Sequence, residues 1–343
     1  MSLLGRSIEL FSWFGKGKFF VILVVLTLLI CGGLAFNSYN EKQLRDERFK
    51  ISAPMQDYEY KRTIIETSGN KYYKLENLRP LVGPEELKEF LKAHNNDEQI
   101  YTPSQKNINE GVFKANLHMH TVFSDGEAKV NQLLDMAQEY AENNLNGADM
   151  YMAITDHNTV LGTKELIEVL QKNPNKYNKV KVVAGIEIFT AYNNSKIAPR
   201  PIEIHVLTLG LNPYDEFLNK EFFKKRHRDK WNRTCPDRDF DWVVKEMSNY
   251  GVVGVAHPAR YTPFLEGDKY DYIKEMLARY RSIAGDNTIF IEGYYQVYPL
   301  LPEKAQLGSE YERYLDFINQ EAKKNNIILD GSTDVHGMTI FNK

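Results

Sequence analysis

From residue 114 onward the chain alternates short apolar runs with longer stretches whose apolar positions recur at helical spacing. The runs at 114–120, 151–156, 181–188, 202–209, 251–257, 288–292 and 326–331 predict strands. Between the first two, residues 129–144 place Val130, Leu133, Leu134, Ala137 and Ala141 on one helical face. Further helices are predicted over 163–171, 238–250, 268–283 and 308–325. Strands alternating with helices in this way predict an α/β fold with parallel strands, closed as a barrel. Upstream, Pro84 followed by Glu85 and Glu86 starts a helix that runs to about His94, with proline and acids in its first turn. Still earlier, DYEYKRTIIE and KYYKLE flank the turn cluster Thr67–Asn70, a hairpin signal within residues 55–76.

One segment breaks the pattern. Residues 19–36, FFVILVVLTLLICGGLAF, carry no charge and no polar stripe. As a helix they span about 27 Å, enough for a bilayer core. A cleaved signal peptide competes with this reading, because Gly33-Leu34-Ala35 loosely fits a small-residue cleavage site. The long segment before the run and the length of the run itself favour an uncleaved anchor. Lys16 and Lys18 abut the span and place the N-terminal side inside, so the main domain is expected outside the cytoplasm. Lys42, Arg45, Arg48 and Lys50 on the far side pull the other way. The expected organisation is a tail over 1–18, a transmembrane helix over 19–36, a stalk and packing extension over 37–110, and one large domain over 111–343.

Composition narrows the function classes. A chain of 343 residues with 43% hydrophobic content can bury one large core or two small ones. A net charge of −3 supplies no global basic field for nucleic acid. The two cysteines, Cys31 and Cys235, exclude a disulfide framework and a zinc ribbon. One local exception is FFKKRHRDKWNR at 222–233, where basic residues are interleaved with Phe222, Phe223 and Trp231. Such a stretch suits a polyanionic substrate, an anionic lipid surface or a solvated helix face.

The chemistry is carried by histidines. In HMHTVFSDG, His118 and His120 share a face of a strand by the two-residue alternation, and the following turn can return Asp125 beside them. Of the eight histidines, most of the others also end apolar runs. MYMAITDHN ends in Asp156 and His157, KVVAGIEIF carries Glu187, and PIEIHVLTLG carries His205. GVVGVAHPAR carries His257, and NIILDGSTDVHG ends in Asp334 and His336. A single HxH is weak, but this recurrence of ligand-type residues at strand ends predicts a multinuclear metal site. Imidazole mixed with carboxylate suits two to three divalent ions of the zinc, manganese or iron type. Barrel enzymes place their chemistry at the C-terminal ends of the strands, where most of these candidates fall.

The set HMHT–SDG, ITDHN, GIE, EIH, AHP and STDVHG, in this order, resembles the PHP (polymerase and histidinol phosphatase) family over roughly residues 114–338. The resemblance implies a distorted (β/α)7 barrel holding up to three metals. Carried over by position, it implies a first site of His118, His120, Glu187 and Asp334. Glu187 would bridge to a second site with His205 and His257, and Asp125, His157 and His336 would form a third. The short spacing to Asp125 resembles the branch that hydrolyses phosphate esters of nucleotides and short oligonucleotides. Members of that branch commonly insert a small domain between the EIH and AHP segments. Here His205 and His257 lie too close in sequence for one. The apolar span is also unlike the usual soluble member.

The function this implies is metal-dependent hydrolysis of a phosphate ester. Clustered divalent ions lower the pKa of a bound water toward about 7 and so provide a hydroxide nucleophile at neutral pH. The expected substrate is a phosphorylated small molecule or a short nucleotide rather than long nucleic acid. The alternatives are a 5′–3′ exonuclease-type phosphodiesterase, a metal-dependent amide hydrolase and, from another class, a non-catalytic binding module. Three further residues are candidates for the chemistry. Asp156 should point away from His157 and support the ligands from behind, or simply cap a strand end. Arg260, three residues past His257, could hold the substrate phosphate. Glu292 ends a predicted strand and is expected at the pocket mouth, as a general acid or base or as one half of an ion pair.

Overall fold

A computed structural model describes residues 78, 80–97, 113–193, 202–215, 218, 227–228, 234–235, 239–258, 269–285, 287–295 and 309–338. Its elements follow the predicted alternation. They are β1 (Leu81–Val82), α1 (Pro84–Ala93), β2 (Ala115–Asn116), α2 (Val130–Asn144), β3 (Met150–Ile154), α3 (Leu161–Lys172), β4 (Val180–Tyr192) and β5 (Ile202–Leu209). A two-stranded ribbon of β6 (His227–Arg228) and β7 (Thr234–Cys235) follows. Then come α4 (Phe240–Met247), β8 (Val252–Ala256), α5 (Lys269–Ala284), β9 (Ile289–Tyr295), α6 (Ser309–Lys324) and β10 (Ile328–Ser332). The hairpin expected in 55–76, the apolar run 19–36 and most of the basic stretch 222–233 lie outside the described residues. Among the described residues, no helix is long and apolar enough to cross a membrane.

The main sheet runs β10-β9-β8-β5-β4-β3-β2, with β1 paired to the start of β4. Its two edges approach each other beyond the ends of β2 and β10. There Met119 and Val335 form a parallel bridge, and the His120 N–H donates to the Val335 carbonyl at 2.8 Å. The sheet is therefore a nearly closed barrel of the (β/α) type, as expected.

One expectation is corrected. The strands are not all parallel, because β5 runs antiparallel to both β4 and β8. The connection explains it. A parallel crossover needs a dozen residues or more, usually a helix. The sequence between Tyr192 and Ile202 is shorter than that and allows only a direct return. β4 also extends past the predicted 181–188 to Tyr192, giving β5 a long partner. At the other end of the scale, the predicted strand 114–120 keeps regular pairing only at Ala115–Asn116.

The barrel is filled unevenly along its axis. Ala115, Leu117, Ala153, Val183, Leu207, Leu209, Val252 and Phe290 form one buried cluster with Leu87 and Leu91 of α1. Gly254 makes room for this plug, since a Cβ there would overlap the Phe290 ring. The helix in the predicted extension thus covers the apolar end of the barrel, with Phe90 stacked on Tyr151 at 3.9 Å between ring centres. Outside the barrel, α2 buries Leu133, Leu134, Ala137 and Ala141, the face its spacing predicted. α4 starts at Asp239, whose side chain accepts the Trp242 N–H at 3.1 Å, a standard N-cap.

Because Leu87 is fully buried in this plug, Leu87→Ala is expected to destabilise the domain by about 2–5 kcal/mol. Urea denaturation followed by circular dichroism measures it. An unchanged midpoint would show that α1 does not close the barrel.

Candidate metal centre

The apolar plug leaves the opposite end of the barrel to polar side chains. His118 and His120 lie just past β2, His157 just past β3, and His257 immediately after β8. Asp334 and His336 follow β10, while Glu187 and His205 project from within β4 and β5. Since β5 is antiparallel, its first half lies at the same end as the last half of β4. His205 pairs in register with Phe189 and with Ala256, one residue before His257.

Asp156 shapes the turn that returns Asp125. Its Oδ1 accepts the Thr121 N–H and the Ser124 hydroxyl, both at 2.7 Å, and its Oδ2 accepts the Thr121 hydroxyl at 2.7 Å. Gly126 then folds against His120 so closely that a Cβ would collide with the His120 backbone. Asp125 Oδ1 arrives 3.3 Å from His336 Nε2 and 3.9 Å from His120 Nδ1, and its Oδ2 lies 3.5 Å from His157 Nε2.

The deepest group comprises His118, His120, Glu187 and Asp334. His118 Nε2 and His120 Nε2 face each other at 3.0 Å. Glu187 Oε2 lies 3.0 and 3.2 Å from them, and Asp334 Oδ1 lies 3.4 and 3.0 Å from them. Metal–nitrogen bonds of 2.0–2.1 Å in a tetrahedron set ligand atoms about 3.3 Å apart, so the spacing fits one small divalent ion. The hydrogen-bonding pattern agrees. Glu187 Oε2 is buried and makes no well-formed hydrogen bond among the described residues, although His157 Nδ1 also approaches to 2.7 Å. His120 Nε2 is within hydrogen-bond distance of His118 Nε2 and Asp334 Oδ1, but Glu187 Oε2, unbonded among them, marks the point on which these atoms converge. The other oxygen, Oε1, faces His205 Nδ1 at 2.7 Å and His257 Nε2 at 3.1 Å. One carboxylate therefore serves nitrogen sets on both sides. The group around Asp125 is the most open, with Asp125 52% and His336 33% exposed in their side chains.

Charge is distributed to match. Burial alone would raise Glu187 and Asp334, but the surrounding histidines, led by His118, hold both well below the usual carboxylate range. Burial would lower His118, yet Glu187, Glu292 and Asp334 raise it well above 6.5. Burial likewise opposes His157, but Glu187 and Asp125 bring it to about 9. His257 is the exception, since burial takes it down to about 4.

One placement differs from that expected. Glu292 is not at the pocket mouth. It lies mid-strand in β9, 1% exposed, beneath the histidines. Its Oε1 stands 2.9 Å from His118 Nδ1, and its Oε2 accepts the His257 N–H at 3.0 Å. Strand alternation turned it inward, and the continuation of β9 to Tyr295 moved the strand end past it. Asp156 takes its expected supporting place, with its partners in the Thr121–Ser124 turn that returns Asp125 to the histidines. Arg260 lies outside the described residues. His257 and Asp334 have positive φ, 27° and 47°, a strained backbone typical of functional positions.

Sequence reasoning passed over two acids. Glu203 Oε1 stands 2.9 Å from His205 Nε2, a contact that the two-residue spacing in EIH could have suggested. Asp330 is fully buried in register beside Glu292, and burial together with the Glu292 charge pushes its carboxyl well above the usual range. No motif marked it.

The family model of the PHP domain matches residues 116–294. That stretch includes His118 through Glu292, while Asp334 and His336 lie beyond it. Among solved structures, an amidohydrolase from Chromobacterium violaceum, described with bound sulfate and no metal, is similar at 12% identity and a TM-score of 0.44. The similarity covers 65% of this chain and 88% of that one. A comparison with curated proteins finds no match.

Raised histidines mean that an incoming ion must displace protons. Metal affinity is expected to climb between pH 6.5 and about 9, the range over which His157 is held protonated, by about tenfold per pH unit for each proton displaced. Above that window it levels off. Calorimetry of zinc binding in two buffers of different ionisation heat counts the protons. Binding that releases none, with an affinity independent of pH, would contradict these electrostatics.

Proposed function

The chain belongs to the PHP domain family, and from that premise we propose that it is a metal-dependent phosphoesterase acting on a small phosphorylated molecule or a short nucleotide. The observation that carries this reading is the two-sided environment of Glu187, with Oε2 among His118, His120 and His157 and Oε1 between His205 and His257. A carboxylate so placed suits two neighbouring cations. In this reading His118, His120, Glu187 and Asp334 hold the first, and Glu187, His205 and His257 the second. Asp125, His157 and His336 hold a third at the mouth. Divalent ions held there would lower the pKa of a bound water and offset charge on phosphate oxygens.

The chain's own residues do the placing. Glu187 stays ionised in the interior and fixes the spacing of the two sets. Asp156 holds the turn that carries Asp125. Glu292 orients His118 and pins the strained backbone of His257. A phosphate rather than an amide is favoured because several clustered cations match an anionic group, whereas an uncharged amide needs no such charge. The net charge of −3 and the carboxylates at the mouth disfavour long nucleic acid. Arg260 remains the proposed phosphate holder. The same reading keeps residues 19–36 as a membrane anchor with the barrel domain outside the cytoplasm, supported by the uncharged run beside Lys16 and Lys18.

The test is an assay of the full chain, loaded with zinc or manganese, against phosphomonoesters, phosphodiesters and amides. Phosphomonoester turnover is expected, recovered in the membrane fraction and reduced to background by chelator or by Asp334→Asn. Turnover confined to amides, or cutting of circular single-stranded DNA without phosphomonoester activity, would overturn the substrate class. Activity that stays in the soluble fraction of the full chain would overturn the anchor.

A further inference from the structure

His205 is held from both sides. Its Nδ1 stands 2.7 Å from Glu187 Oε1, and its Nε2 stands 2.9 Å from Glu203 Oε1. Strand alternation puts Glu203 and His205 on one face of β5. Across the sheet Glu203 faces Ala191, too small to crowd it, and its side chain is 34% exposed. His118 has the mirror arrangement. Its Nε2 stands 3.0 Å from Glu187 Oε2, and its Nδ1 stands 2.9 Å from Glu292 Oε1. Each oxygen of Glu187 thus faces an imidazole whose far nitrogen is gripped by a second glutamate.

The two rings present different atoms inward, Nε2 for His118 and Nδ1 for His205. Packing does not explain this choice. The Phe189 ring lies 4.3 Å from His205 and the His257 ring 4.9 Å away, and together they set the plane of the imidazole. A half-turn about the Cβ–Cγ bond keeps that plane but exchanges Nδ1 with Cδ2 and Nε2 with Cε1. In the turned ring a carbon would face Glu187, and another would face Glu203. Glu187 penalises the turned ring from within, and Glu203 penalises it from outside.

We propose that Glu203 is a positioning residue that selects Nδ1 as the metal-facing atom of His205. By accepting the Nε2 proton it also makes Nδ1 the more basic donor, as carboxylates behind metal-bound histidines do. The inference rests on reading Glu187, His205 and His257 as metal holders. It adds Glu203 as the counterpart of Glu292, one for each side of Glu187.

The experiment compares the full-length wild type with Glu203→Leu and Glu203→Gln. Each is stripped with chelator, checked for folding by its thermal melt and titrated with zinc by calorimetry. Glutamine can still accept the Nε2–H bond through its carbonyl, whereas leucine cannot. Glu203→Leu is expected to weaken one class of zinc sites by about 10- to 100-fold and leave the others unchanged. Glu203→Gln should recover most of that loss. If the leucine variant fails to fold, Glu203→Ala takes its place. Wild-type affinity at every site in the leucine or alanine variant would overturn the proposal, and so would an equal loss in the glutamine variant. A wild-type chain that takes up no zinc would overturn the parent reading of the site, a result distinct from either of these.

Discussion

A single buried carboxylate organises this end of the barrel. Glu187 is fully buried, and an ionised group there is costly unless compensated. Compensation comes from five imidazoles contributed by four different parts of the fold. His118 and His120 follow β2, His157 follows β3, His205 lies in β5, and His257 follows β8. The strand that carries Glu187 must therefore be long enough to reach past β3 and pair with β5. It must also be central enough to have neighbours on both sides. β4 meets both needs, pairing with β3 through its first half and β5 through its second.

The rest of the fold follows from keeping that arrangement fixed. The antiparallel β5 brings His205 to the level of Glu187, where a parallel strand joined by a short link could not. The plug of aliphatic side chains under α1 gives the other end of the barrel a conventional core. Between plug and histidines lies a thin polar layer of Glu292, Asp330, Asn116 and Thr333, in which Asn116 donates to the Thr333 hydroxyl at 2.6 Å. This layer ties the histidine- and aspartate-bearing segments after β2, β8 and β10 to the strands beneath. Strain at His257 and Asp334 is held by such contacts, the Glu292 bond to the His257 N–H being the clearest.

Much of this was legible in the sequence, and what was missed has physical causes. Apolar runs at strand spacing and the helical face of 130–141 gave the element order, because both depend on local periodicity. The recurrence of His, Asp and Glu at run ends gave the cluster, because the parallel strands send their C-terminal ends to one place and antiparallel β5 sends its first half there. The direction of β5 was hidden because periodicity is blind to strand polarity. Only the short link after Tyr192 encoded it. Glu292 was assigned to the wrong depth because its strand continues to Tyr295. Glu203 and Asp330 went unnoticed because residues that stand behind or beside the cluster need no motif. They need only a shared face or a neighbouring register.

The central claim is that Glu187 joins two cation sites rather than forming a buried ion-pair network with its histidines. The direct measurement is the metal content of the purified full chain by elemental analysis, wild type against Glu187→Gln. The account predicts at least two equivalents in the wild type and a loss that exceeds one equivalent in the variant, because both sets fail together. A wild type free of metal, or a variant that keeps its full complement, would contradict it.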